Sequence, residues 1–136
     1  MRIAIIACGK AKIKGKHQAK DLYVGNFFKQ CLKVASTKYD AYYIVSAKYG
    51  LLKPVDVIED YDFKLTKLSE RQKKQWGFNV AQQINQTIES TNEITFLLGK
   101  CYYRYIAPFI KHKWNAPLIG IKMCFLKHEL KLMETL

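Results

Sequence analysis

Apolar runs and helical repeats follow one another along the chain. The runs Arg2–Ala7, Ala41–Ser46 and Glu93–Leu98 predict three buried strands, and residues 116–121 predict a shorter fourth strand. Segments with helical spacing lie between them. Because strands that alternate with helices build parallel sheets, we expect an α/β fold. It should be one three-layer domain covering residues 1–136, with a mostly parallel sheet of four to five strands and helices on both faces.

The first helices are predicted from the spacing of apolar side chains and from one start signal. Residues 21–39 carry an apolar stripe that predicts a helix covering the sheet. Ser69 and Gln72 form a capping-box pattern, which predicts that a long helix begins there and runs to about residue 90. Gly77 should weaken this helix only slightly. Its apolar positions repeat at helical spacing: Trp76, Val80, Ala81, Ile84 and Ile88.

Two further helices and one long loop complete the pattern. Residues 101–111 predict a helix that is interrupted at Pro108, and residues 122–136 predict a last helix. Residues 54–65 are typical of an ordered loop with room for one short strand. Ordered loops of this length are usually functional, which favours a site in this region.

Composition and charge indicate a folded protein with anionic partners. The chain has 136 residues, of which 49% are hydrophobic and 13% aromatic, so it can bury one core. Its 23 Lys and Arg residues against 11 Asp and Glu residues give a net charge of +12. That charge favours nucleic acid or nucleotides as partners, but it is equally expected if the lysines only keep the protein in solution.

Cysteine usage and the amino terminus bear on location and cofactors. The four cysteines are dispersed without a CxxC pair, which argues against a zinc site and a disulfide framework. The first apolar run is too short for a secretory leader or a membrane span. We therefore expect a cytoplasmic protein with reduced thiols, no metal, no cofactor and no membrane contact. The cysteines are Cys8, Cys31, Cys101 and Cys124.

Polar turns follow the first two predicted strands. Residues 8–12 (CGKAK) follow the first strand, and residues 46–50 (SAKYG) follow the second. Because the ends of neighbouring parallel strands meet at one edge of a sheet, we expect both turns to line one basic crevice. Gly9, Lys10 and Lys12 would hold phosphate there through backbone amides and ammonium groups. The loop has neither Walker spacing nor the GxGxxG fingerprint, which excludes those two nucleotide-binding classes.

Three side chains near these turns could carry chemistry. Cys8, with cations behind it, could be a thiolate nucleophile, or only a small residue that closes a strand. Lys48 could act with Ser46 on a substrate, or Ser46 could satisfy a backbone amide in a turn. Asp62 could be a general base or orient Lys48, or form a solvated ion pair.

Histidine and tyrosine spacing gives weaker signals. His17, His112 and His128 match no metal-ligand or triad spacing, so we expect them on the surface. Tyr102 and its neighbours could stack on bases, but packing is the simpler interpretation of their spacing. The stripe consists of Tyr102, Tyr105, Ile106 and Phe109.

The motifs at these turns resemble a known family. Cys8-Gly9-x-x-Lys12 is followed by Leu22-Tyr23, by the SAKYGL segment 46–51 and by Tyr61-Asp62. Residues 49–61 fit the pattern YGLL-x-P-x-D-x-I-x-x-Y. This order is similar to that of the YaaA-like bacterial and phage proteins, which are related to a peroxide-stress protein. The resemblance spans about residues 3–65.

The resemblance implies association with DNA and a role in the stress response. It adds three candidates for binding substrate or phosphate: Tyr23, Tyr49 and Gly50. A more limited likeness, of Cys8 and Lys12 to the core motif of archaeosine synthase, implies modification of a deazaguanine base in tRNA. Asp60 stands where the YaaA-like pattern has proline, and no helix-hairpin-helix signature is present.

Two functions from different classes follow from these observations. The first is a protein that binds or modifies a nucleobase or nucleotide by transferase or glycosidic-bond chemistry. Cys8 would be its nucleophile, and Ser46, Lys48 and Asp62 would position or activate the reacting group. The alternative is a non-catalytic basic protein that shields DNA or mediates a phage-host interaction. Sensing of an oxidant through Cys8 is a third hypothesis.

Overall fold

A computed structural model of the chain describes residues 1–89, 92–110 and 118–119. In chain order the strands and helices are β1 (Arg2–Ala7), β2 (Lys16–Gln18), α1 (Ala19–Leu22), α2 (Asn26–Lys38), β3 (Ala41–Ser46), β4 (Gly50–Leu52), β5 (Val57–Glu59), α3 (Glu70–Thr87), β6 (Glu93–Leu98), α4 (Lys100–Ile106) and β7 (Leu118–Ile119). Short 3₁₀ turns span Leu65–Lys67 and Ala107–Phe109.

The main sheet has five strands in the order β4-β3-β1-β6-β7. β1 is central and pairs in parallel with β3 and β6, β7 is parallel to β6, and only the edge strand β4 runs antiparallel. The α/β class and the mostly parallel sheet are therefore confirmed. The three long strands have the predicted bounds because their apolar runs are long enough to be recognised without tertiary information.

Alternate residues of β1 belong to two different parts of the core. Ala4 and Ile6 pack in a cluster with α2, whose buried side chains are Phe28, Cys31, Val34 and Ala35. Ile3 and Ile5 pack in a second cluster with residues of α3 and α4. These are Val80, Ala81, Ile84 and Ile106. A strand that is buried on both sides reads as a continuous apolar run, which explains the pattern in the sequence.

The helix predicted for residues 21–39 is wrong at its start, because the chain leaves the helical conformation between α1 and α2. Tyr23 is extended and forms a β-bridge with Lys12, and the Val24 amide donates to the Ala11 carbonyl at 3.0 Å. These bonds compete with helix formation. Gly25 then precedes α2 as its N-cap residue.

A small antiparallel ribbon, β2 paired with β5, lies outside the main sheet. The sequence patterns do not indicate β2 or the antiparallel β4. The other ribbon strand, β5, is the short strand for which the loop 54–65 has room. Asp60 extends the ribbon, since its carboxylate accepts the Gly15 amide at 2.8 Å and its amide donates to the Gly15 carbonyl at 3.1 Å. The ribbon thus fixes where the next residue, Tyr61, lies.

The capping box at α3 is confirmed. The Gln72 amide donates to the Ser69 hydroxyl at 3.2 Å, and the Ser69 amide donates to the Gln72 side-chain oxygen at 2.9 Å. Gly77 allows α3 to approach α4 closely, because a Cβ there would overlap the Tyr105 carbonyl. The break at Pro108 is also present, in the 3₁₀ turn after α4.

Some predictions fall on residues that the structure does not describe. The predicted helix 122–136, most of the predicted strand 116–121, and Cys124, His112 and His128 lie outside the described residues. Within the described residues, none of the helices has the length and hydropathy needed to cross a membrane.

Candidate functional site

A cavity of about 350 Å³ opens at the carboxyl ends of β1 and β6. From β1 the chain passes through α2 to β3 on one side, and later through α3 to β6 on the other side. The connections therefore diverge between β1 and β6, which is where open α/β sheets place ligands. We call this space the switch-point cavity. Its lining residues are Cys8, Gly9, Lys10, Lys12, Tyr61, Asp62, Phe63, Lys64, Leu65, Thr66, Cys101 and Tyr102.

The turn after β1 supplies the basic wall of the cavity. The Cys8 amide donates to the Val45 carbonyl at 2.9 Å, which anchors the turn to β3. The Lys12 ammonium donates to the Lys10 carbonyl at 3.1 Å and lies 4.3 Å from the centre of the Tyr61 ring. This distance is within the range of a cation–π contact, so the Tyr61 ring helps to hold the charge at the cavity wall.

Cys8 faces a tyrosine hydroxyl that comes from α4. Its sulfur lies 3.3 Å from the Tyr102 hydroxyl, and Cys8 is partly exposed. Burial raises the pKa of Tyr102 above its ordinary value, and the adjacent Cys8 raises it further. Tyr102 therefore keeps its proton at neutral pH and can donate it in a hydrogen bond to the Cys8 sulfur.

Tyr61, which lines the cavity, forms a hydrogen-bonded group with two residues that do not line it, and we call this group the hydroxyl cluster: Tyr23, Ser46 and Tyr61. The Tyr61 hydroxyl lies 2.8 Å from that of Tyr23 and 2.7 Å from that of Ser46. The Ser46 oxygen also accepts the amides of Lys48 at 3.2 Å and Tyr49 at 3.1 Å. Ser46 is fully buried, so it closes the turn after β3 and holds Tyr61 in place.

The structure divides the predicted site residues into two groups. Those that line the switch-point cavity are Cys8, Gly9, Lys10, Lys12 and Asp62. Those that do not line it are Tyr23, Ser46, Lys48, Tyr49 and Gly50. Lys48 still approaches the cavity wall from behind, since its ammonium lies 5.9 Å from the centre of the Tyr61 ring.

The division has a topological reason. The turn after β3 contributes through the hydroxyl cluster, whereas the opposite wall of the cavity comes from the residues after β6, on the other side of β1. Gly50 has a structural role at this turn, because its φ of 76° favours glycine and a Cβ there would overlap the Gln83 side chain.

Sequence reasoning missed several lining residues. Tyr61 was visible as part of the matched YaaA-like pattern, but no role was assigned to it. Tyr102 was interpreted as packing, and its ring does contact Trp76, with the ring centres 5.3 Å apart. Only the fold shows that its hydroxyl reaches Cys8. The others carried no local signal: Phe63, Lys64, Leu65, Thr66 and Cys101.

We predict that Ser46→Ala lowers the free energy of unfolding by about 2 kcal/mol, because two backbone amides lose a buried acceptor and the Tyr61 hydroxyl loses its hydrogen bond to Ser46. Urea denaturation measures the change. Ser36→Ala is the matched control, since Ser36 is exposed on α2 and should change stability by less than about 0.5 kcal/mol. Equal effects of the two substitutions would contradict the role given to Ser46.

Comparison with known proteins places this geometry in a family. Residues 3–131 match the profile of a family described as "Family of unknown function (DUF6884)". The chain belongs to this family. The matched stretch contains every residue that lines the switch-point cavity, so the cavity is part of the DUF6884 domain.

One curated relative of this DUF6884 chain is "Uncharacterized protein YfjM" of Bacillus subtilis (strain 168). The two are 40% identical over an alignment of 68 residues. The match covers 45% of this chain and 45% of the relative. The chain thus matches less than half of that relative's length. No solved structure matches the chain.

Proposed function

We propose that the protein binds a nucleobase or nucleotide, free or within a nucleic acid, in the switch-point cavity. The observation that carries this proposal is the lining of the cavity, where three lysines and exposed aromatic surface surround a volume of about 350 Å³. That volume is at the lower end of the range for small-molecule sites and suits one nucleotide.

The charges in the cavity favour an anionic ligand. Lys10, Lys12 and Lys64 line it together with one carboxylate, that of Asp62. Among the described residues, none of these lysines forms an ion pair with a carboxylate, and the net charge of +12 adds a long-range attraction for phosphate. We assign the phosphate group to the ammonium groups of Lys10 and Lys12.

The aromatic side of the cavity suits a base. Phe63 lines the cavity with 37% of its surface exposed, so its ring offers apolar surface to a ligand there. Tyr61 precedes it by two residues, and the ammonium groups of Lys12 and Lys48 lie 4.3 Å and 5.9 Å from the centre of the Tyr61 ring. Stacking of a base on Phe63 would remove apolar surface from water while the phosphate stays with the lysines.

Cys8 is the candidate nucleophile of this site. Its sulfur is partly exposed in the cavity, and the Tyr102 hydroxyl is placed to donate to it. Asp62 lines the same cavity and is the candidate general base. Lys48 acts as a positioning residue through the Tyr61 ring. Transferase or glycosidic-bond chemistry on the bound nucleotide is the reaction class that we propose.

We predict that Lys12→Gln weakens binding of nucleoside monophosphates about tenfold, because a charge-assisted contact to phosphate contributes about 1.5 kcal/mol or more. Isothermal titration calorimetry measures the change. Lys29→Gln is the matched control, because this substitution removes the same charge. Lys29 is exposed on α2 and does not line the cavity.

A second readout locates the ligand. Bound nucleotide should slow alkylation of Cys8 by iodoacetamide. Mass spectrometry of the Cys8 peptide measures the alkylation rate. The proposal is contradicted if Lys12→Gln and Lys29→Gln bind alike, or if nucleotide leaves the alkylation rate of Cys8 unchanged.

The net charge supports one alternative, a non-catalytic basic protein that shields DNA. A pure phosphate binder depends on its lysines collectively and loses affinity steeply with salt, so Lys12→Gln and Lys29→Gln would then have equal effects. Salt titration of the two variants therefore separates the alternatives.

We also propose the three-layer arrangement and the YaaA-like relationship. The alternation of β1 residues between the α2 cluster and the cluster of α3 and α4 supports helices on both faces of the sheet. The position of Tyr61, a residue of the YaaA-like pattern, at the cavity wall supports a shared site.

A further inference from the structure

A second cavity adjoins the first one. It also has a volume of about 350 Å³, and we call it the α4 cavity. Leu65, Thr66 and Cys101 line both cavities, so the two spaces share one rim. The other residues that line the α4 cavity are Lys73, Arg104 and Tyr105.

The α4 cavity continues the basic and aromatic character of the switch-point cavity. The Arg104 guanidinium carbon lies 5.5 Å from the centre of the Tyr105 ring, and the Lys73 ammonium lies 6.0 Å from it. No carboxylate lines this cavity among the described residues. The nearby Glu70 carboxylate accepts the Tyr105 hydroxyl at 2.9 Å.

We propose that the ligand is a single-stranded nucleic acid, with one nucleotide in the switch-point cavity and the phosphate of its neighbour in the α4 cavity. This inference rests on the proposed function and names its substrate class. Lys10 and Lys12 line the first cavity and Lys73 and Arg104 line the second, so both adjoining cavities offer cations to the strand.

The two cavities are direct neighbours, because α4 lines both of them. Cys101 lies on the shared rim, and Arg104, about one helical turn further along α4, lines the α4 cavity. A strand bound in the first cavity can therefore continue into the second. A base can enter the switch-point cavity only after it leaves a base stack, which favours a single strand over a duplex.

The test compares two probes on the protein: thymidine monophosphate and a short oligothymidylate. We expect wild type to bind the oligothymidylate at least tenfold more tightly. The double variant Lys73→Gln with Arg104→Gln should lose about tenfold affinity for the oligothymidylate and keep its affinity for the monophosphate. Its plot of log affinity against log salt should be shallower by about 0.7, because the one phosphate in the α4 cavity is no longer neutralised.

The matched control is Lys29→Gln with Lys33→Gln, which removes two exposed charges from α2, outside both cavities. Equal losses in the two double variants would overturn the inference. The inference would also be overturned if wild type bound the monophosphate and the oligothymidylate with equal affinity. It would likewise be overturned if wild type bound a duplex of the same sequence as tightly as the single strand. In those cases monophosphate binding still stands, whereas failure of wild type to bind either probe removes the proposed function as well.

Discussion

Gly77→Ala should destabilise the protein by about 2 to 3 kcal/mol and lower its melting temperature by about 10 °C. A Cβ at this position would overlap the Tyr105 carbonyl and lie 2.8 Å from the Tyr105 Cβ. Backbone atoms cannot rotate out of the way, so α4 must move away from α3. The helix propensity gained by replacing glycine, about 1 kcal/mol, offsets only part of this cost.

Thermal unfolding followed by circular dichroism measures the effect. Gly25→Ala is the matched control, because its φ is −65° and a Cβ there meets nothing within 4 Å. Because glycine is a better N-cap residue than alanine, the control should lower stability by about 1 kcal/mol or less. If Gly77→Ala were as stable as the control, the close approach of α3 and α4 would be incorrect. Since Tyr102 lies on α4, the displaced helix should also change the environment of Cys8.

Alkaline pH should unfold the protein steeply because several buried tyrosines must stay protonated in the folded state. Burial raises the pKa of Tyr23 from 10.0 to about 12, and Cys8 contributes further. Burial also raises the pKa values of Tyr61 and Tyr102, again with a contribution from Cys8. The hydroxyl cluster and the Cys8 contact therefore depend on neutral phenols.

The direction of the pH effect follows from proton binding in the two states. Below pH 10 these tyrosines are protonated in both states, so their contribution to stability is complete. Between pH 10 and about pH 12 an unfolded tyrosine releases its proton while buried Tyr23 keeps it, so stability falls as pH rises. Each such tyrosine contributes at most about 1.4 kcal/mol per pH unit to this slope.

Urea titrations at successive pH values measure this slope. Ultraviolet absorbance follows phenol ionisation, and the part of this signal that Tyr61→Phe removes should coincide with the loss of circular dichroism. Tyr61→Phe should also reduce the slope, by up to about 1.4 kcal/mol per pH unit, because one ionisable phenol is removed. If that part of the ionisation preceded unfolding, or if the slope were unchanged in Tyr61→Phe, the burial of the cluster would be contradicted.

Local sequence patterns were sufficient for the long elements of this fold. β1, β3 and β6 have apolar runs of strand length, and α3 has both an apolar stripe and a capping box, so each could be recognised alone. The ribbon strand β2 consists of Lys16, His17 and Gln18, which have neither alternation nor strand propensity. Its strand conformation comes from pairing with β5, which is tertiary information.

The site was predictable on one side only. Cys8, Gly9, Lys10 and Lys12 directly follow β1, so their place at the strand end could be inferred from sequence. The opposite wall comes from α4. Predicting this wall requires knowing that β6 rather than β3 forms that side of the cavity. Strand order is a long-range property that no short pattern contains. Ser46 shows the same limit, since both roles considered for it fit the sequence and only its burial shows which contacts it makes.

The ribbon separates two tasks within the molecule. The main sheet holds Cys8, whereas β5 leads directly into the segment that contains Tyr61, Asp62 and Phe63. Only three residue pairs join β5 to β2, and neither strand belongs to the main sheet. For the nucleotide ligand that we propose, substitutions in the ribbon should therefore alter selectivity while the thiol stays in place, and relatives with different preferences should diverge first between residues 57 and 66.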